Sequence, residues 1–167
     1  MAKMTEKSLS EAFAGESQAH MRYLNFSQAA EKEGFPKVGK LFKAIAFAEQ
    51  VHASNHLKTL DGVGKTAENL KEAIGGETFE TEEMYPAYDA IAKLQGQSEA
   101  QKSIHYALEA EKIHANMYKD AKNAVEGGKD IAIDSVYICS VCGYTTLDAA
   151  PEKCPVCSAS QDKFIKF

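Results

Sequence analysis

The chain has 167 residues, of which 44% are hydrophobic and 26% are charged, which suits one folded domain with a small addition. Its formal net charge of −5 offers no electrostatic basis for binding nucleic acid or an anionic membrane. No apolar run approaches the roughly 18 residues of a membrane span, and the first residues lack the apolar core of a secretion signal. We therefore expect a cytoplasmic protein with neither nucleic acid nor membrane as a partner.

Up to about residue 125 the sequence favours helix almost throughout, because Ala, Glu, Lys, Gln and Leu dominate it. Four helices of roughly 25 to 30 residues result, which are lengths typical of a helical bundle. Pro86 lies inside the third helix and should kink it about one turn beyond Glu80, because proline removes a backbone hydrogen bond. The segments that separate the helices are GFP at 34–36, DGVGKT at 61–66, LQGQS at 94–98 and EGGKD at 126–130.

Each predicted helix carries a stripe of residues spaced by three and four, apolar at its ends and with a glutamate near its middle. Two of these glutamates begin the pattern Glu-x-x-His, in AEQVH at 48–52 and AEKIH at 110–114. Residues three apart on a helix can reach one ion together. Burying an unpaired carboxylate is costly, so charge on inward stripes indicates a bound metal. The residues concerned are Glu16, Glu49, His52, Glu77, Glu111 and His114.

One glutamate from each of two helices and Glu-x-x-His from each of the other two form the ligand set of a two-metal carboxylate site. Glu80, three residues after Glu77, offers a further carboxylate. A single Glu-x-x-His is usually solvated helix surface, but four coordinated positions make that reading the weaker one. Carboxylate oxygens with imidazole suit iron, manganese or zinc, and spacing alone leaves the metal open.

Three further histidines and two tyrosines lie near the stripes and are weaker candidates for the metal site. His20, His56 and His105 are better explained as hydrogen-bonded neighbours or surface groups than as ligands. Tyr23 and Tyr85 are either packing aromatics or phenols that donate a hydrogen bond at the metal site, and the sequence leaves both readings open.

All four cysteines lie near the C-terminus, where turns and aromatics replace helical periodicity. We place a domain boundary there, with a helical domain at 1–133 and a small metal-binding domain at 134–167. Two Cys-x-x-Cys pairs predict a tetrahedral thiolate site, and a domain this small needs its metal to fold. Spacing alone fits structural zinc as well as iron. The four ligands are Cys139, Cys142, Cys154 and Cys157.

These motifs together resemble the rubrerythrin family, and the resemblance covers essentially the whole chain. GESQAHMRY at 15–23, AEQVH, GETFETEEMYP at 76–86 and AEKIH resemble its ferritin-like di-iron domain, and CSVCGY with CPVC resembles rubredoxin. The fold class implied is mainly α, a ferritin-like four-helix bundle followed by a rubredoxin-like domain. Ser158 departs from the pattern, because rubredoxins commonly have glycine after the last cysteine.

The resemblance implies a non-haem di-iron peroxidase that reduces hydrogen peroxide to water and protects against oxidative stress. It implies an electron-donor protein of rubredoxin or reductase type, linked to NADH only through separate proteins. A ferroxidase or iron-storage protein is the alternative, and a zinc-ribbon binding module on an inert bundle is a third reading.

The resemblance also implies the cofactors, which are a di-iron centre and one iron bound by the four cysteines, with zinc as a substitute. One iron shifts between Glu80 and His52 as its oxidation state changes, and Glu80, Tyr23 and Tyr85 are the residues implied in catalysis. The di-iron ligands implied are Glu16, Glu49, His52, Glu77, Glu80, Glu111 and His114.

The connection between the second and third helices is short for a ferritin-like bundle, in which these helices run parallel. At the helical rise of 1.5 Å per residue, the end of the second helix and the start of the third lie about 30 Å apart along the bundle. The link must span this distance. Six linking residues reach at most about 20–25 Å. We therefore predict a domain-swapped homodimer, in which helices one and two of one chain pack with helices three and four of the other. An ordinary bundle with frayed helix ends is the alternative.

Overall fold

The chain is described by a computed structural model that covers residues 1–147 and 149–167. It is mainly helical, which confirms the predicted fold class. Four of its helices end at, or two residues before, the predicted interruptions, and the helix that begins at Thr66 ends earlier, at Phe79. None of the helices in these two ranges is long and apolar enough to cross a membrane. The helices are α1 (Lys3–Lys32), α2 (Pro36–Thr59), α3 (Thr66–Phe79), α4 (Tyr85–Leu94) and α5 (Ser98–Glu126).

The chain forms two compact units, Met1–Gly64 and Lys65–Phe167. In the first unit α1 and α2 pack along their length through small buried residues such as Ala30 and Ala46. Gly39 marks the closest approach, since a Cβ atom there would lie 2.7 Å from the Cγ atom of Glu31. The Ser27 hydroxyl donates a hydrogen bond of 2.8 Å to the Gly39 carbonyl. These contacts fix the register of α1 against α2.

The third predicted helix is interrupted where it carries its second glutamate. A π-helical turn, Glu80–Met84, separates α3 from α4, and the Tyr85 N–H reaches five residues back to the Glu80 carbonyl. Pro86 explains the interruption, because it has no N–H to donate to the carbonyl four residues earlier. The sequence predicted a kink about one turn beyond Glu80, whereas the wide turn begins at Glu80 itself. Such turns are frequent at functional sites.

The second unit contains α3, α4 and α5, with α3 and α4 packed on α5, together with a small segment at 137–166 that we call the cysteine module. Its three antiparallel strands are β1 (Tyr137–Cys139), β2 (Thr145–Thr146) and β3 (Phe164–Lys166), in the order β2-β1-β3. Its core consists of the buried cysteines with Tyr144 and Phe164 packed against them. The domain boundary at residues 133 and 134 stays a prediction, because the two compact units divide at Gly64.

Candidate metal centres

The first unit brings three predicted ligands together. Glu16 on α1 and Glu49 and His52 on α2 place one donor atom each within 4.8 Å of one another. The Nδ1 atom of His52 lies 2.9 Å from Oε2 of Glu49, as the i, i+3 spacing predicts. The two glutamates are partly buried, whereas 54% of the His52 side chain is exposed. His20 lies on the same helix pair and donates a hydrogen bond of 2.8 Å to the Ala46 carbonyl.

The second unit holds a matching triad. Glu77 on α3 and Glu111 and His114 on α5 again place donor atoms within 4.8 Å of one another. Here too the Nδ1 atom of the histidine faces the carboxylate, with His114 2.5 Å from Oε2 of Glu111. The two copies of Glu-x-x-His therefore adopt the same local arrangement, each with a glutamate from the neighbouring helix.

Carboxylates crowd the second triad. The pKa of Glu77 is raised to about 8. Burial is the largest cause, followed by the hydrogen bond and charge of Glu111 and the charge of Glu80. Burial also raises the pKa of Glu80, with the Glu111 charge as a further cause. Like-charged carboxylates held this close favour a proton or a cation between them. Glu80 lies near Glu111 but outside the group of three, so its role as a ligand stays a prediction.

The two tyrosines predicted near the centre lie in different surroundings. Tyr23 packs with Phe26 and Phe42, with ring centroids 6.1 Å away in each case, so it belongs to an aromatic cluster between α1 and α2. Burial raises the pKa of the Tyr85 phenol, and the charges of Glu80, Glu111 and Glu77 raise it further. Tyr85 is thus a protonated phenol beside the acidic cluster of its own unit.

The four cysteines of the module converge on one point. Their sulfur atoms all lie within 4.8 Å of one another, with 3.6 Å between Cys139 and Cys157 and 3.5 Å between Cys142 and Cys154. Four sulfurs about 2.3 Å from a tetrahedral metal would be separated by about 3.7 Å, so the spacing fits such an ion. The predicted thiolate site is therefore geometrically complete.

Among the four sulfurs, the surroundings favour a thiolate most clearly at Cys154. Burial acts to raise its pKa, but the N–H groups of Cys157 and Val156, together with hydrogen bonds from the Cys142 and Cys157 side chains, outweigh burial and lower the pKa. Burial raises the pKa of Cys142 and Cys157. Gly143 and Ser158 follow the last cysteine of each pair and have positive φ angles of 82° and 61°. The departure at Ser158 therefore leaves the backbone conformation of the turn unchanged, although a residue with a Cβ atom adopts it at a cost.

The cysteine module lies against α5 of its own chain, on the face that carries the second triad. Tyr106 packs against the cysteine core, and the Ala110 Cβ atom lies 3.6 Å from where a Cβ atom on Gly143 would be. One turn further on, the Nε2 atom of His114 lies 2.8 Å from the Thr145 hydroxyl. Sequence spacing does not reveal the roles of Tyr106 and Thr145, since no spacing rule connects a helix to a strand 31 residues away.

A helical protein with two glutamate–histidine triads and a four-thiolate module belongs to the class of non-haem carboxylate metalloproteins with an additional metal–thiolate site. Residues 7–122 match the family model described as rubrerythrin, and residues 137–165 match that of the rubrerythrin rubredoxin-like domain. The chain belongs to the rubrerythrin family, whose cofactors are a di-iron centre and a four-cysteine iron site. The triads and the cysteines supply donors of the required kind.

The chain is similar over its full length to named relatives. It is 46% identical to rubrerythrin-2 of Clostridium acetobutylicum, over 98% of this chain and 97% of that protein. It is 34% identical to rubrerythrin of Porphyromonas gingivalis, over 96% and 88%. A solved structure of nigerythrin in its fully reduced, all-ferrous state superposes with a TM-score of 0.55 at 31% identity, covering 100% of this chain and 88% of that chain.

Proposed function

We propose that this protein is a peroxidase that reduces hydrogen peroxide to water at two irons held by the two triads. The observation that carries the proposal is the contact between the cysteine module and α5, because it puts a site for an electron-carrying metal beside the helix of Glu111 and His114. A protein that only stores iron has no need of such a module. The family of the chain is consistent with a role in protection against oxidative stress.

The reaction consumes one peroxide, two electrons and two protons and releases two water molecules. The two irons, when bound, supply the two electrons that break the O–O bond. The carboxylates of the triads neutralise the positive charge of the metals, and their two oxygens allow either one or both to bind. The ligands we assign are Glu16, Glu49, His52, Glu77, Glu80, Glu111 and His114.

Glu80 and His52 are assigned the exchange of ligands that accompanies the change of oxidation state. Glu80 lies at the start of the π-helical turn, outside its triad but close enough to Glu111 for the two charges to interact. Among the described residues, the His52 ring has a hydrogen-bond partner only at Nδ1, where it faces Glu49, so its other side is not held in place. These are the properties expected of a carboxylate and an imidazole that alternate at one metal.

Tyr85 is assigned the donation of a hydrogen bond or proton at the site. Burial, and then the charges of the surrounding carboxylates, raise the pKa of its phenol and so keep its proton in place. Tyr23 contributes through packing and remains the weaker candidate, because its ring lies among Phe26 and Phe42.

The four cysteines are assigned the binding of an iron that would accept electrons one at a time from a separate donor protein of rubredoxin or reductase type. A thiolate site of this geometry changes little on reduction, which favours transfer. The module packs on the α5 helix of its own chain, so it serves the site to which that α5 contributes ligands.

We further propose a domain-swapped homodimer as the assembly that completes the site. Only residues 60–65 link α2 to α3, which matches the predicted link length. The first unit supplies three of the seven assigned ligands and the second supplies four. Both units leave large apolar side chains exposed, among them Phe47 at 64% and Ile91 at 51%. Packing one chain's first unit on a second chain's second unit would complete two sites and cover such surface.

Anaerobic reduction followed by addition of hydrogen peroxide tests the function. We expect about 1.5 equivalents of peroxide per chain to be consumed, because the two bundle irons and the thiolate iron together give up three electrons and each peroxide takes two. Reoxidation of the thiolate iron is visible as return of its red colour. Rapid oxidation by oxygen with formation of a cage and an iron core would favour storage instead. A colourless thiolate site with bound zinc and no peroxide consumption would favour the binding module.

A further inference from the structure

The two Glu-x-x-His pairs differ in what holds the far side of the imidazole ring. The Nε2 atom of His114 contacts the Thr145 hydroxyl at 2.8 Å. Within residues 1–147 and 149–167, the structure gives the Nε2 atom of His52 no such partner. Thr145 is only 5% exposed, so its hydroxyl is shielded from competing water. The cysteine module thus reaches one metal triad and fixes one of its ligands.

The hydrogen bonds of Thr145 determine the direction of this contact. A hydroxyl has one hydrogen to donate, and the Thr145 hydroxyl donates it to the Gly143 carbonyl at 3.0 Å. Towards His114 it can therefore only accept, and the hydrogen of that contact must be on Nε2. In a neutral imidazole the other nitrogen then carries a lone pair. That nitrogen, Nδ1, lies 2.5 Å from Oε2 of Glu111, which can only accept, so the arrangement requires a cation bound by both atoms.

We propose that the Thr145 hydroxyl, supplied by the cysteine module, sets the tautomer of His114 and so positions its Nδ1 atom as a metal ligand. Thr145 is a positioning residue in this role, since it acts through His114. Gly143 supplies the carbonyl that orients the hydroxyl. It has a positive φ of 82° and lies beside α5, where an added Cβ atom would be 3.6 Å from the Cβ atom of Ala110. Partners of this kind keep a histidine ligand in one orientation and raise its basicity.

The proposal rests on His114 being a metal ligand, as proposed above, but not on peroxide being the substrate. Its test therefore uses metal binding and proton position rather than turnover, so either proposal can fail without the other. The Thr145→Val variant removes the hydroxyl at nearly constant volume, and Thr145→Ser keeps it. Thr146→Val, on the same strand, is the matched control because the structure gives Thr146 no contact with His114.

The first measurement locates the proton. In the zinc-loaded full chain with ¹⁵N-labelled histidine, long-range ¹H–¹⁵N spectra distinguish the two ring nitrogens, and a His114→Gln sample assigns the signals. We expect His114 to be protonated at Nε2, with slow exchange of that hydrogen in the wild type, Thr145→Ser and Thr146→Val. Exchange should be faster in Thr145→Val. A wild-type His114 protonated at Nδ1 would overturn the proposal, whatever the variants do.

The second measurement is the apparent affinity of the bundle for Zn²⁺ in competition with a chelator. Loss of such a partner typically weakens metal binding about 10–100-fold, so we expect at least about tenfold for Thr145→Val. Thr145→Ser and Thr146→Val should retain wild-type affinity. Thiolate–metal absorption of cobalt-substituted samples checks that the module is folded. Equal affinities of Thr145→Val and the wild type, or a Thr145→Ser variant as weak as Thr145→Val, would overturn the proposal.

Discussion

Glu80 is the residue whose position departs from a symmetrical ligand set. Six of the seven predicted ligands form two triads, and Glu80 lies beside one of them on a widened helical turn. Its carboxylate is nonetheless partly buried and interacts with Glu111. A glutamate that lies near a metal site without belonging to its group of donors is suited to bind the metal in only one of the metal's oxidation states.

Replacement of Glu80 by Ala tests this role. We expect peroxide turnover to fall by at least about tenfold, since even the loss of a group that only supports a ligand costs about 10–100-fold. The bundle should still bind two metals through the triads. Steady-state peroxide consumption and metal content measure the two effects separately. Glu83→Ala is the control, because Glu83 lies on the same π-helical turn but is exposed. Unchanged turnover in Glu80→Ala would remove Glu80 from the mechanism.

The raised pKa of Glu77 predicts a pH dependence of the metal-free protein. Folding raises this pKa from 4.5 to about 8, so the protonated form is favoured in the folded state. Its contribution to stability is fully present below about 4.5 and is lost as pH rises towards 8. Thermal unfolding of the chelator-treated protein, followed by circular dichroism, should therefore show a falling midpoint across this range.

Glu77→Gln is the matched control for that measurement, since its amide is neutral at every pH. The difference between wild type and variant should grow with pH between about 5 and 8. Bound metal should reduce the dependence, because a cation replaces the proton among the carboxylates of Glu77, Glu80 and Glu111. Parallel curves for the wild type and Glu77→Gln would contradict the assigned cause.

Among the structural elements, the second cysteine pair carries an identifiable strain. Ser158 adopts φ = 61°, a conformation that costs residues with a Cβ atom about 1–2 kcal/mol. Glycine occupies the corresponding position of the first pair, at Gly143. The module therefore contains the same turn after each cysteine pair. Glycine adopts it readily at Gly143, whereas Ser158 adopts it at a cost.

Ser158→Gly should stabilise the cysteine module by about 1 kcal/mol, because relief of the strain exceeds the extra entropy of glycine in the unfolded chain. Denaturant unfolding followed by the visible absorption of the thiolate iron measures this directly. Ser158→Ala separates strain from loss of the hydroxyl, since it keeps the Cβ atom and should give no gain. A gain in Ser158→Ala equal to that in Ser158→Gly would exclude strain as the reason.

The sequence predicts features of these elements that depend on local chemistry and misses those that depend on distant contacts. Glycine, proline and polar clusters mark the helix ends, and the cysteine spacing specifies the thiolate site. The break near Pro86 was predicted, but its start at Glu80 was not, because that depends on which carbonyls find new donors. The contact of Thr145 with His114 was also missed, since neither residue type nor periodicity connects the two positions.

At the scale of the whole molecule, the division of the ligands between two units makes the proposed domain swap directly testable. One variant carries Glu16→Gln and Glu49→Gln in the first unit, and the other carries Glu77→Gln and Glu111→Gln in the second. Each alone lacks a complete site and should be inactive.

In a swapped heterodimer of the two, the unaltered first unit of one chain meets the unaltered second unit of the other, which restores one native site. Random co-assembly should then recover about a quarter of the wild-type sites, measured as bound iron and peroxide turnover per chain. An unswapped assembly pairs every native unit with an altered one, so recovery would be absent and the swap would be refuted. Mixing each variant with itself is the control, and a dimeric mass in solution should accompany recovery.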